Sequence, residues 1–145
     1  DQTDVTNSSY VIIDHTKPTY SAGEVTNADL NNVSLTFNDA ANNLVVTDLS
    51  AGDFDIEYSA DSGSNWSYLH QGSVHSGADI ALNGKIIDIS LNTAVNNNAS
   101  PAWQLRASYT KNTTYTNQNI TDQAGNTLDD FSNQSVTNNS FPEEG

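Results

Sequence analysis

Four oxygen-bearing side chains lie close together near the end of the sequence. Asp122, Asn126, Asp129 and Asp130 fall within nine residues of one another. Calcium takes about six to eight oxygen ligands, which carboxylates, amides and backbone carbonyls provide, and Gly125 lets the loop adopt a positive φ. These residues therefore predict a calcium (Ca2+) site. Because their spacing differs from the EF-hand pattern, a turn held by side-chain hydrogen bonds without metal stays open as the alternative.

A second acidic group surrounds the start of a predicted strand. It consists of Asp48, Asp53, Asp55 and Glu57. Asp55 and Glu57 point to the same face of that strand, so their charges repel each other or share a cation. We predict Asp53 and Asp55 as further calcium ligands. The alternative is a strand face in contact with solvent only.

A third acidic group is predicted near the beginning of the chain, from Asp14, Glu24 and Asp39. Paired carboxylates also suit glycoside hydrolysis, which needs one protonated and one ionised acid. Nothing in the sequence singles out such a pair, and the histidines lack the short spacing of zinc ligands. We predict no catalytic residues and no enzymatic activity.

Aromatic and amide side chains gather in the segments between predicted strands. Asp61, Asn65, Trp66 and Tyr68 lie in one such segment, and Tyr115 lies in another. Loops on a rigid scaffold often carry binding residues, and aromatic rings beside amides suit sugars. We predict these five residues as ligand-binding. Packing of Trp66 and Tyr68 into a core is the alternative.

The charge balance excludes several classes of partner. Eighteen acidic residues face four basic ones, which gives a formal net charge of −14. Nucleic acids and anionic membrane surfaces would be repelled by this charge. The chain has no cysteine, hence no disulfide, and no apolar run long enough to insert into a membrane. Since it begins with Asp1 and not Met, we expect a processed product or a piece of a larger protein.

Hydrophobic residues alternate with polar ones in most of the chain, which is typical of half-buried β-strands. We predict an all-β fold, an immunoglobulin-like antiparallel β-sandwich. A single helical or 3₁₀ turn is expected at residues 48–54, with Asp48 or Ser50 as its cap. The predicted strands are residues 10–13, 20–25, 33–37, 54–58, 66–70, 73–75, 80–82, 87–91, 103–110 and 134–137.

Four segments resemble the SwmB-type and related bacterial immunoglobulin-like modules of large secreted adhesins. Residues 14–20 resemble the Asp-x-Thr-x-Pro opening of such modules, and residues 32–39 resemble a strand that ends near Phe37. Residues 48–54 are similar to the short turn before their Asp-Phe strand. Residues 122–126 resemble their Asp-x-Ala-Gly-Asn turn.

This resemblance implies a domain at residues 14–138, preceded by a linker or edge strand at 1–13 and followed by a linker at 139–145. It implies a secreted, extracellular module at the bacterial cell surface, connected to flanking domains of a parent adhesin. The module would bind a peptide or glycan of a host or neighbouring cell at calcium-bearing loops. The alternative is a spacer repeat that calcium stiffens and that binds no ligand.

Overall fold

The computed structural model describes residues 14–39 and 43–141. The predicted linker or edge strand at residues 1–13, including the strand expected at 10–13, lies outside these ranges. Most of the predicted C-terminal linker, residues 142–145, also lies outside them.

The described residues form strands and two short 3₁₀ turns, which confirms the all-β fold class. The turns span Ala51–Asp53 and Thr116–Gln118. The strands are β1 (Thr19–Thr26), β2 (Asp29–Asn38), β3 (Leu44–Val45), β4 (Phe54–Ser59), β5 (Ser67–Gln71), β6 (Ile80–Asn83), β7 (Ile86–Ser90), β8 (Gln104–Tyr109), β9 (Thr121–Asp122) and β10 (Phe131–Asn139).

Eight of these strands form one mixed sheet in the order β5-β4-β8-β10-β1-β2-β7-β6, and β3 pairs with β9 in a small second sheet. The neighbouring strands of the large sheet are antiparallel except β1 and β10, which run parallel. The prediction of a purely antiparallel arrangement is therefore wrong at this pair. Strand β10 lies between β8 and β1, antiparallel to β8 and parallel to β1.

One hydrophobic core is shared by both halves of the large sheet. Val33 and Leu35 on β2 and Ile87 on β7 belong to the same buried cluster as Ile56 on β4 and Leu105 on β8. These are the alternate residues of each strand, as the period of two requires. The sheet therefore curls so that both halves bury the same face.

Aromatic rings fill the end of this core where β1 and β10 begin. Tyr20 contacts Phe37 and Phe131, with ring centres 6.0 and 5.1 Å apart. Tyr109 contacts Phe54 and Phe131 at 4.9 and 5.8 Å. Offset and tilted aromatic pairs of this kind add stability beyond the area they bury. This packing fixes the ends of β1, β4, β8 and β10 relative to one another.

The strand register defines two ends of the fold. Phe54 pairs with Tyr109, and Tyr109 pairs with Phe131, so the segments before β4 and β10 lie at one end, here named the Asp122 end. Ser59 pairs with Gln104, so the loop after β4, which contains Asp61, lies at the other end, here named the Asp61 end. Strand β4 has six residues. At about 3.4 Å per residue, the two ends are roughly 17 Å apart along it.

A β-bulge in β5 buries two consecutive residues. Tyr68 pairs with Glu57 and His70 pairs with Ile56, so Leu69 is an extra residue in β5. Leu69 and His70 are both buried as a result. The His70 ring lies between two oxygen atoms, with Nε2 2.8 Å from the Ala51 carbonyl and Nδ1 3.1 Å from Asn92 Oδ1. Since a carbonyl only accepts, Nε2 carries the proton.

One of two local predictions for the loop segments is confirmed and the other is wrong. The helical turn expected at residues 48–54 is confirmed: Ser50 Oγ accepts from Gly52 N and caps the 3₁₀ turn. The strand expected at residues 73–75 is wrong, because this segment is a turn in which the Val74 and His75 N–H groups donate to Gln71 O. No helix in the described part of the chain has the length or apolar composition to cross a membrane.

We predict that His70→Ala lowers the free energy of unfolding by about 2–4 kcal/mol, because it opens a cavity and leaves the Ala51 carbonyl without its donor. His75→Ala is the control, since His75 is only half-buried and its ring accepts one long hydrogen bond, 3.4 Å from Gln71 N to Nδ1. That variant should lose less than about 1 kcal/mol. Urea denaturation measures both. Equal losses in the two variants would contradict the role given to His70.

Candidate functional site

Three aspartates from separate parts of the chain converge at the Asp122 end. Asp14 precedes β1, Asp39 follows β2, and Asp122 ends β9. Each offers a carboxylate oxygen, and these oxygens all lie within 4.8 Å of one another. Asp39 and Asp122 are buried and Asp14 is half-buried. Among the described residues, no other cluster of three or more His, Cys, Asp or Glu has this spacing. We name it the Asp14–Asp39–Asp122 group.

Local pairing explains how these distant residues meet. The backbone of Leu44 pairs with that of Asp122 in the small sheet, which brings the segment after β2 beside β9. Asn126 Nδ2 donates to the backbone carbonyl of Asp14 at 2.8 Å and to Asp122 Oδ2 at 2.9 Å. The predicted ligand Asn126 therefore ties two members of the group together through its amide nitrogen.

Asp122 also organises its own turn. Its Oδ1 accepts from the backbone N–H groups of Ala124 and Asn126, both at 2.9 Å. Gly125 has a φ of 89°, a backbone conformation that would be strained in a residue with a side chain. Side-chain-to-backbone hydrogen bonds of this kind were the predicted alternative to metal binding. They hold the Asp122 side chain in an orientation that faces Asp14 and Asp39.

Hydrogen bonds determine the charge state of Asp122 within the group. Burial raises the pKa of Asp122, but hydrogen bonds from the Asn126 side chain and backbone, from the Asp39 side chain and from the Ala124 backbone outweigh burial, so this pKa lies below its ordinary value. Asp122 is therefore ionised at neutral pH. Carboxyl groups this close require either a shared proton or a cation between them.

The donor set matches calcium in kind. All three side chains supply oxygen only, and carboxylates bind this ion through one or both oxygens. Three carboxylates provide three to six of the roughly six to eight ligands that calcium takes. Water or nearby backbone carbonyls would complete the shell. Zinc sites, by contrast, usually include nitrogen or sulfur ligands, which this group lacks.

The predicted ligands Asp129 and Asp130 lie at the same end but contact other groups. Asp129 is exposed and forms ion pairs with Lys17 at 3.0 Å and Lys111 at 3.6 Å. The hydrogen bond from Lys17 is the main cause that lowers the pKa of Asp129. Asp130 accepts from the backbone N–H of Lys111 at 2.7 Å. Neither residue belongs to the Asp14–Asp39–Asp122 group.

The predicted ligands Asp53 and Asp55 are also separate from the group. Asp53 is buried beside β4, and this burial raises its pKa against the opposing effect of a hydrogen bond with Asn112. Asp55 Oδ1 accepts from the backbone N–H of Gly72 at 2.8 Å. Gly72 has no space for a side chain, since a Cβ would lie 2.3 Å from the Gly52 carbonyl oxygen. Asp55 thus supports a close backbone contact.

Four of the five predicted ligand-binding residues lie at the Asp61 end, remote from the three aspartates. Asp61 accepts hydrogen bonds from Asn65 N at 2.8 Å, Asn65 Nδ2 at 2.6 Å and Ser59 Oγ at 2.7 Å. These bonds, from Asn65 first, lower the pKa of Asp61 to about 2. Ser62 and Gly63 have positive φ values of 60° and 95°. Asp61 and Asn65 therefore hold a tight turn together.

Trp66 and Tyr68 follow this turn on the outer face of the sheet. The Arg106 guanidinium lies 3.9 Å from the centre of the Trp66 ring. Tyr68 is 46% exposed. Tyr115, which is 60% exposed, lies instead in the loop after β8, at the Asp122 end. The structure therefore does not bring the five predicted ligand-binding residues together.

An open groove of about 480 Å³ runs beside Trp66 across β8 and β10. Six of the residues that line it are Trp66, Trp103, Gln104, Arg106, Asn133 and Asn138. Trp103 is half-buried, packs against the core and stacks on Tyr58 with ring centres 3.9 Å apart. The groove therefore brings the Trp66 ring together with amide side chains of β8 and β10.

Comparison with protein-family models, with curated proteins and with solved structures finds no match for this chain.

Sequence reasoning missed two features of these sites. It grouped Asp14 and Asp39 with Glu24. In the structure Glu24 lies further along β1, where it accepts a hydrogen bond from Asn139 on β10, and the third member of the group is Asp122. It also left out Arg106 and Gln104. Their outward register on β8, opposite to Leu105 and Ala107, was a signal that could have placed them beside Trp66.

We predict that Asp61→Asn destabilises the fold at neutral pH and that this difference from wild type fades as the pH falls. Because the pKa of Asp61 is lowered, its ionised form favours the folded state. The stabilisation that ionised Asp61 gives to the folded state is fully present above about pH 4 and is lost as the pH falls towards about 2. Melting temperatures measured over this range test the prediction.

Asp79→Asn is the matched control for this prediction. It removes one negative charge from an exposed side chain that forms no hydrogen bond within the described ranges. A difference between wild type and Asp61→Asn that stays constant with pH would contradict the role of Asp61 as an ionised turn residue.

Proposed function

We propose that this chain is a calcium-stabilised, extracellular β module of a secreted bacterial adhesin. The observation that carries the proposal is the Asp14–Asp39–Asp122 group, in which three oxygen donors lie within 4.8 Å of one another. The resemblance of residues 14–20, 32–39, 48–54 and 122–126 to bacterial immunoglobulin-like modules supplies the adhesin context. The shared core of the two sheet halves supports the finer proposal of an immunoglobulin-like sandwich.

In this proposal calcium acts as a structural ion. It would join strand β9 of the small sheet to the segments before β1 and after β2, which the large sheet places side by side because Thr19 pairs with Asn38. A cation there offsets the repulsion between the carboxylates and restrains the Asp122 end. The module would then serve as a stiff unit between flanking domains of its parent protein at the cell surface. Its role is support and attachment, not catalysis.

A ligand-binding role is the second candidate, and the groove beside Trp66 favours it. Its aromatic and amide lining suits a peptide or glycan from a host or neighbouring cell. The resemblance to adhesin modules implied that such a ligand binds at calcium-bearing loops. The register of β5 places Trp66 at the level of Ser59, about 17 Å from the Asp122 end along β4, so a ligand held at Trp66 would not contact calcium at the three aspartates.

Calcium should raise the melting temperature of the wild-type protein. At a calcium concentration one hundred times the dissociation constant, binding to the folded state alone adds about 2.7 kcal/mol. For a chain of this size we expect an increase of roughly 5–10 °C, measured by calorimetry after removal of metal with a chelator. Magnesium should have a smaller effect, since it prefers a smaller, strictly octahedral shell.

Asp14→Asn tests the site, because Asp14 is half-buried and an Asn keeps an acceptor for the N–H of Thr16, now 2.8 Å from Asp14 Oδ1. This variant should lose most of the calcium response. Asp129→Asn is the matched control: it removes the same charge at the same end, outside the group, and should respond as wild type does. A melting temperature that calcium leaves unchanged in the wild-type protein would overturn the proposal.

A further inference from the structure

We propose that the groove across β8 and β10 binds a neutral oligosaccharide on the outer face of the sheet, independently of calcium. This inference deepens the second candidate function by naming the ligand class and its contacts. It does not rest on the calcium proposal. The argument depends on how the Trp66 ring is fixed, on the charge of the groove and on the hydrogen-bonding groups it presents.

The Trp66 ring is held in place before any ligand arrives. Glu57 binds Arg106 through two hydrogen bonds, 3.1 Å to Nε and 3.3 Å to a terminal nitrogen. Arg106 in turn stacks on one face of Trp66. Both partners of the ion pair are largely covered, with 22% and 15% of their side chains exposed. A ring fixed in this way loses little conformational entropy on binding, which favours it as a sugar platform.

The groove is unsuited to an anionic ligand. Arg106 is the only basic residue that lines it, and the Glu57 carboxylate already balances its charge. The protein as a whole carries a formal charge of −14. Sialylated or sulfated glycans and acidic peptides would therefore be repelled on approach and find no uncompensated cation. A neutral sugar avoids this cost.

Amide groups around the ring match the hydroxyl groups of a sugar. The Gln104 side chain is exposed and its amide forms no hydrogen bond with any described residue, so both its oxygen and its nitrogen remain to pair with hydroxyls. Neutral amides donate and accept at once, as sugar hydroxyls do. The indole N–H of Trp66 likewise has no hydrogen-bond partner in the described ranges.

A β-bulge directs a further amide into the groove. Phe131 pairs with Tyr109 and Gln134 with Ala107, so β10 contains one extra residue at this point. Asn133 adopts a φ of 55°, in the left-handed region, and its N–H donates to Ser108 Oγ at 2.9 Å. A bulge of this kind re-aims a side chain, and here the re-aimed Asn133 lines the groove. Backbone strain of this kind often marks a binding position.

The shape of the groove fits an oligosaccharide better than an enclosed small molecule. Its volume of about 480 Å³ is neither enclosed nor flat, so a short oligosaccharide can lie in it with one side exposed. Pockets that bury drug-sized ligands cover most of the ligand surface. A chain of sugars exposed on one side does not require that coverage.

The test is a glycan array that carries neutral oligosaccharides of hexoses and N-acetylhexosamines beside sialylated and sulfated ones, probed with the whole chain. We expect binding to one or more neutral oligosaccharides, quantified by calorimetry with the best one. Trp66→Ala should weaken binding at least about tenfold, through the loss of ring contact. Gln104→Ala should weaken it by a smaller factor, and a chelator should leave it unchanged.

Tyr115→Ala is the matched control, because it removes an exposed aromatic ring at the opposite end and should bind as wild type does. Thermal melting shows whether Trp66→Ala is folded, and Gln104→Ala decides the question if it is not. The proposal is overturned if no neutral oligosaccharide binds, if only acidic glycans bind, or if a folded Trp66→Ala binds as tightly as wild type. Loss of binding in chelator would also overturn it, whereas the calcium proposal is judged separately by melting temperature.

Discussion

The parallel pairing of β1 with β10 is the constraint on which the rest of the fold depends. Glu24, Val25 and Thr26 pair with Thr137, Asn138 and Asn139, and this contact joins the two halves of the large sheet. Because the two strands run in the same direction, the segments that lead into them lie at the same end. Asp14 precedes one strand and the Asp122 turn precedes the other, so the pairing itself brings these carboxylates together.

The same geometry separates two kinds of chemistry. At the Asp122 end, backbone pairing and the Asn126 amide hold acidic side chains together in spite of their repulsion. On the outer face towards the Asp61 end, an ion pair between Glu57 and Arg106 fixes an aromatic ring. The first arrangement suits a hard cation and the second suits an uncharged ligand. A ligand at the groove and an ion at the three aspartates would therefore act on the module independently.

Local features were predictable from sequence, whereas long-range pairing was not. Alternation identified the strands that hold Leu35, Ile56 and Leu105, and the short polar side chain of Ser50 identified a capped turn. The direction of β1 relative to β10 has no local signal, because it depends on which strands become neighbours. The bulge that buries Leu69 and His70 together also broke the expected alternation. Because long-range pairing has no local signal, Asp14 and Asp39 were grouped with Glu24, which is nearer in the chain, and not with Asp122.

Only four basic residues are present to balance eighteen acidic ones. All four are already engaged: Lys17 and Lys111 with Asp129, Arg106 with Glu57, and Lys85 with the backbone carbonyl of Asp39. Lys85 donates to the backbone carbonyl of Asp39, a member of the Asp14–Asp39–Asp122 group. Repulsion among three carboxylates within 4.8 Å is largest where their burial excludes water. A divalent ion from solution would therefore relieve more repulsion at this group than at the exposed acids elsewhere on the surface.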